Sequence, residues 1–207
     1  MIQARALFAC RSGSTAAEFT IVLPLLLVLL FGIIDAGRYM WTINRAQKAV
    51  QVGARYAVVT DTVPGGLQTY TFVSATNPPG SPVPVSAFGS INCVAPGGTP
   101  ACSCATNPCS TAMVGTTNAP AFQAIAAQMR RFYPELADQN VTVRYEGVGL
   151  GFAGNPHGSD VSPLVTVAMN GATFRPMTLL VFGAPQFALP PFRSSVTLED
   201  GLGSVSN

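Results

Sequence analysis

Charged side chains are scarce in this chain. Lys, Arg, Asp and Glu make up 10% of its 207 residues, against roughly 25% in an ordinary soluble domain. So little charge excludes disorder driven by self-repulsion. A net charge of only +2 argues against nucleic acid as a partner, since phosphate binding needs a strongly basic surface. A second long apolar run is also missing despite a mean hydropathy of +0.37, so the chain is not a multi-span protein. Histidine is reduced to His157. No phosphate-binding loop, dinucleotide fingerprint or G-x-S-x-G elbow occurs. His157, Ser159 and Asp160 sit too close together in one turn-rich loop to converge as a triad, and Glu146, Asp160 and Glu199 make no spaced carboxylate pair. The chain is therefore expected to be neither an enzyme nor dependent on a cofactor or metal.

The charges that are present are unevenly placed. Six of the 11 basic residues, Arg5, Arg11, Arg38, Arg45, Lys48 and Arg55, fall in the first 55 positions, and none of either sign lies between Thr62 and Met129. This asymmetry suggests a membrane-anchored stem carrying an exported domain. The stem contains one uncharged run, Phe19 to Ile34 (FTIVLPLLLVLLFGII). At ~1.5 Å per residue it covers ~24 Å, short of a ~30 Å hydrocarbon core. Ala16 and Ala17 before it, and Ala36 and Gly37 after it, can extend the span. Glu18 and Asp35 then stand near its two ends, where a carboxylate costs less than at the bilayer centre. Pro24 lies inside the run, as a membrane helix tolerates.

Three readings of this segment compete. A cleaved secretory signal needs a small-residue site after the apolar region, and Ile34-Asp35-Ala36 is a poor one. A plain single-span anchor is the second. The third looks upstream, where Gly13 is followed by Ser14-Thr15-Ala16-Ala17-Glu18-Phe19. A short basic leader, a glycine, and then Glu and an aromatic at the fifth and sixth positions resemble the processing site of type IV-like prepilins. Along Leu23-Pro24-Leu25-Leu26-Leu27, Phe31-Gly32-Ile33-Ile34-Asp35-Ala36-Gly37-Arg38 and Gly53-Ala54-Arg55-Tyr56-Ala57 the chain is similar to the TadE-type minor pilins (pseudopilins) of tight-adherence (Tad, or Flp) pilus systems. The resemblance covers residues 11 to 60 and is weak beyond them.

It implies cleavage after Gly13 by a prepilin peptidase, a mature chain starting at Ser14, and assembly with other pilin subunits and the Tad machinery at the inner membrane. It also implies a role for Glu18 and Pro24 in subunit assembly. A carboxylate in apolar surroundings needs a positive partner, and the family points to the new amine of Ser14 in a neighbouring subunit. The alternative for Glu18 is a favourable position in the positive field of a helix N-terminus. Basic residues flank the apolar run on both sides, so charge alone does not orient it.

Beyond the run, Asp35 to about Val59 reads as helix. Ile43, Ala46, Val50, Gly53, Ala54 and Ala57 make a small-residue apolar side, and Arg38, Arg45, Lys48 and Arg55 a basic one. As one helix, residues 14–60 span ~70 Å. Residues 61–119 hold 30 Pro, Gly, Ser and Thr in 59 positions, which reads as loop and turn, with one short strand at Gln68 to Val73. The same stretch carries Cys93, Cys102, Cys104 and Cys109. An even count in a loop suggests two disulfides and an oxidising compartment, which favours this part lying outside the cell membrane. Of three connectivities, the one joining Cys102 to Cys104 is strained by the short spacing, and the other two stay open. The spacing does not match a zinc site. Cys10 would leave with the leader.

The remainder, 120–207, reads as a helix from Pro120 to Leu136 capped by Asn118, then strands at Val141 to Tyr145, Leu164 to Met169, Met177 to Phe182 and Arg193 to Leu198. The expected fold is α+β. A long N-terminal transmembrane stem helix continues into a small antiparallel sheet domain with a second helix. The expected organisation is a leader (1–13), stem (14–60), disulfide loop (61–119) and pilin-like domain (120–207). The leading functional expectation is a processed minor pilin in pilus assembly, priming or adhesion, with a single inner-membrane pass and a periplasmic or extracellular C-terminal domain. An unprocessed, membrane-anchored binding module is the alternative, and an anchored periplasmic enzyme a weaker one.

Overall fold

A computed structural model describes residues 12–156, 158–178 and 186–198, with backbone only at 12–15. The expected leader up to Arg11, Cys10, His157, Glu199 and the 179–182 part of one expected strand lie outside the described residues. Helix α1 (Ser12–Ala57) runs unbroken through Pro24. The chain divides into two compact units. One joins α1 up to Thr42 with Thr173–Phe187, and the other comprises Ile43–Ala172 and the chain from Ala188 on.

The second unit is the α+β part. Its sheet contains β1 (Ser90–Val94), β2 (Ala101–Thr106), β3 (Val141–Glu146), β4 (Leu164–Met169) and β7 (Phe192–Thr197), while β5 (Thr173–Phe174) and β6 (Phe187–Ala188) are two-residue strands outside it. The order is β2-β1-β3-β4-β7, with every neighbouring pair antiparallel. Alternation decides the faces. Val141, Val143 and Tyr145 of β3 and Val165, Val167 and Met169 of β4 are buried, and their intervening residues are only partly covered. Against this face the end of α1 lays Ala46, Ala49, Val50, Ala54 and Ala57, all buried. Small residues let the backbones approach closely. A Cβ on Gly53 would come within 2.7 Å of Met129 and 3.3 Å of Val167. Helix α3 (Ala119–Arg130) follows the short α2 (Thr111–Val114) and buries Phe122, Ile125, Ala126 and Met129.

Asn118 caps α3 as expected, its side chain accepting the Ala121 N–H, with Pro120 in the first turn. The helix ends at Arg130 and not at Leu136. Pro134 disfavours helical geometry in the residue before it, and the N–H groups of Phe132 and Tyr133 instead close on the Met129 carbonyl.

The uncharged middle holds more order than its composition suggests. Two of the five main strands, β1 and β2, lie within 61–119. Their hairpin turns at Gly97 and Gly98, whose φ values of 66° and 87° suit glycine. Cys93 faces Cys102 across the hairpin and faces Val143 on its other side. The two cysteines form one disulfide, and Cys104–Cys109 forms the other. The expected strand at Gln68 to Val73 is absent. Gly66 O accepts the Tyr70 N–H in a turn, and the Phe72 N–H is taken by the Asp160 carboxylate. Alternating Tyr and Phe here pack ring on ring instead, Phe72 lying between Tyr70 and Phe88. Met177 and Thr178 are helical, not extended, for a reason given below.

The Cys93–Cys102 bond closes a loop of nine residues in sequence separation on a strand that is mostly exposed. Replacing both cysteines with serine is expected to cost on the order of 2–3 kcal/mol of stability, read as a lower urea midpoint in detergent-solubilised full-length protein. An unchanged midpoint would show that the hairpin holds without its staple.

Candidate functional site

The N-terminal part of α1 is apolar on every side. From Ala16 to Ile34 each residue is exposed, including Phe19, Ile21, Leu25 and Ile33. Among the described residues this is the one helix long and apolar enough to cross a membrane, with a mean hydropathy of 2.5 in its best 18-residue window and none of that window buried. Thr20 hides its hydroxyl on the Ala16 carbonyl at 2.7 Å, which suits a segment without water to bond. Gly13 and Ser14 are helical in backbone. Glu18, Phe19 and Pro24 are exposed on the same helix, so the residues expected to serve processing and assembly lie along one rod.

One residue past the apolar run the environment changes. Asp35 is 7% exposed, and its carboxylate collects four donors. The Met177 N–H reaches Oδ1 at 2.8 Å, and the Thr178 N–H and hydroxyl reach Oδ2 at 2.8 and 2.7 Å. Arg38 Nη1, one turn along α1, adds a fourth at 3.0 Å. Two successive N–H groups can point at one carboxylate when their residues are helical, because the first N–H groups of a helix have no partner of their own. This is why Met177 and Thr178 are not extended. The Arg38 guanidinium also lies 5.5 Å from the centre of the Phe174 ring, and Tyr39 meets that ring edge-on at 5.4 Å. Segment 173–178 is thereby strapped to one turn of α1. The sequence reading placed Asp35 at the end of the span but missed the strap, whose contacts lie 142 and 143 residues away.

The side chains weighed for catalysis are otherwise engaged. Asp160, 4% exposed, accepts the N–H groups of Phe72 and Asn155 at 2.7 and 2.8 Å and the Thr71 hydroxyl at 3.3 Å. Burial pushes its pKa up, but the Gly154, Phe72 and Asn155 N–H groups and Thr71 outweigh burial and hold it below the ordinary 3.8. Ser159 donates to the Leu67 carbonyl at 3.1 Å. Tyr145 is fully buried and accepts the Val63 N–H, and burial pushes its phenol well above the ordinary range. Among the described residues no three His, Cys, Asp or Glu side chains gather as a metal site.

An exposed apolar helix and a disulfide-bonded α+β unit in one chain suggest a membrane-anchored extracytoplasmic domain. Residues 13–55 match the model of the TadE-like protein family. No curated protein and no solved structure matches the chain.

Two outcomes test these carboxylates. Asp35→Ala should leave the sheet unit folded and speed amide exchange at Met177 and Thr178, read by exchange mass spectrometry; unchanged protection would mean the strap is held by other contacts. For Asp160, folding lowers the pKa, so its contribution is in place above the unfolded-chain value and is lost as pH falls through the lower folded value. Asp160→Asn should therefore lose about 2 kcal/mol at neutral pH, with the gap from the parent closing on acidification. A gap that stays constant with pH in denaturant titrations would rule out the charge as its source.

Proposed function

We propose that this chain is a minor pilin of a Tad-type pilus, cleaved after Gly13 and assembled through the exposed run of α1. The observation that carries the reading is the family match, which begins at Gly13 and includes Glu18, Phe19 and Pro24. Support comes from the all-round exposure of the apolar run, which suits a segment that first sits in lipid and later among other subunits. In this reading the chain is inserted once in the inner membrane, with the disulfide-bonded unit on the outer side. The prepilin peptidase removes the leader, and Glu18 meets the Ser14 amine of a neighbouring subunit. An ion pair in apolar surroundings favours the register that completes it, because an unpaired charge there costs several kcal/mol. The proposed organisation remains a leader at 1–13, a stem at 14–60, a cystine-bearing segment at 61–119 and a C-terminal segment at 120–207. The sheet draws strands from the last two.

Intact-mass measurement on protein extracted from membranes of cells with a prepilin peptidase tests this. The expected species starts at Ser14, and Gly13→Leu should retain residues 1–13. Glu18→Ala should preserve expression and processing while reducing incorporation into sheared filaments. An uncut parent chain would overturn the pilin reading and leave an anchored module.

A further inference from the structure

The clasp on Asp35 has a geometric consequence. The apolar run falls ~6 Å short of a ~30 Å hydrocarbon core. A short span draws its flanking residues inward, and on this side the first of them is Asp35. A carboxylate drawn to that depth is costly unless it is hydrogen-bonded, and the strap delivers three of its four donors. The strap is held at Asp35 to Tyr39, within the first ~8 Å of helix rise beyond Ile34, which is the depth of the headgroup layer.

The exposed side chains at this level are those of an interface. Met40 and Trp41 on α1 are 61% and 66% exposed, and Met177 and Phe187 of the same unit are 50% and 51% exposed. Among the described residues, 176–178 and 186–191 carry no charge. Arg38 and Arg175 flank these positions and suit lipid phosphates. Tryptophan beside apolar side chains and arginines is the composition of a membrane–water boundary. We propose that the strapped segment is a second membrane contact. Held on Asp35, and with β6 paired to β5, it presents Met177 and Phe187 to the headgroup layer at the level of Trp41, so that the protein rests on the bilayer as well as passing through it. This rests on the reading of the apolar run as a membrane span, with which the surface is continuous along α1.

The chain has one tryptophan, which makes the test direct. Full-length protein is reconstituted in phosphatidylcholine–phosphatidylglycerol vesicles carrying brominated acyl chains, as the parent and as Phe187→Trp in a Trp41→Phe background. Comparable quenching at both positions is expected, with Asp35→Ala abolishing it for the Phe187→Trp reporter and sparing Trp41. Quenching at Trp41 but not at the Phe187→Trp reporter, in protein that resists alkaline extraction, would overturn the second contact and leave the span. Extraction of the parent by alkaline carbonate would overturn the span reading itself. A blue-shifted but unquenched reporter would assign the surface to a second protein copy and overturn the lipid contact. Quenching that survives Asp35→Ala would overturn the clasp as its cause.

Discussion

One carboxylate, placed a single residue beyond an uncharged helical run, ties segment 173–178 to the stem helix. Asp35 can be satisfied in only two ways, by water or by protein donors. The chain uses protein donors, and it brings most of them from the far end of the sequence. That choice sets the local structure of Met177 and Thr178, which must be helical to aim both N–H groups at one carboxylate. It also fixes Arg38, which serves Asp35 and the Phe174 ring together. The strapped turn of α1 therefore has a defined side and level, whereas the apolar turns before it have none.

Asp160 solves a similar problem in the sheet unit. Its carboxylate accepts the N–H of Phe72, 88 residues away, and that of nearby Asn155, in a region otherwise rich in proline and glycine. A chain with so few charges spends two of its nine acidic side chains as fasteners for irregular backbone. Hydrogen bonds to a charged acceptor contribute about twice those to a neutral one, so a single Asp can hold a loop that lacks the apolar area to hold itself. The disulfide at Cys93 does comparable work for β2, whose side chains are mostly exposed. Two long-range carboxylate clasps and one local disulfide thus stand where a larger core would otherwise be needed.

The legible parts of the fold were those written in local pattern. Alternation revealed β3 and β4, the small-residue face revealed the buried side of α1, and Asn118-Ala119-Pro120 revealed the start of α3. The end of α3 was misplaced because the apolar spacing continues through Phe132 while Pro134 stops the backbone. The β1–β2 hairpin stayed hidden because Ser90–Val94 is short and Ala101–Thr106 is made of small residues without apolar alternation, and their pairing depends on β3 beside β1 and a disulfide across the hairpin. Tyr70 and Phe72 looked like a strand because alternation carries no record of where the N–H groups go. At the stem, the apolar run could be read directly, but the strap could not. Its partner residues are distant in sequence, and nothing in Pro176-Met177-Thr178 marks it as the cap of an aspartate.

The contrast within α1 bears on how such a stem works. Its second part commits one face to α3 and the sheet, and Gly53 leaves no room for a larger side chain there. Its first part commits none, since every residue from Ala16 to Ile34 is exposed. A helical run with no packed face can take neighbours on any side, because no face has first to be uncovered from its own unit. The second part of the helix must still hold a fixed face to α3 and the sheet. Asp35, Arg38 and Tyr39 lie where one requirement gives way to the other. By satisfying the carboxylate within its own chain, the protein can keep the apolar run free of commitments and define the orientation of the helix at its exit.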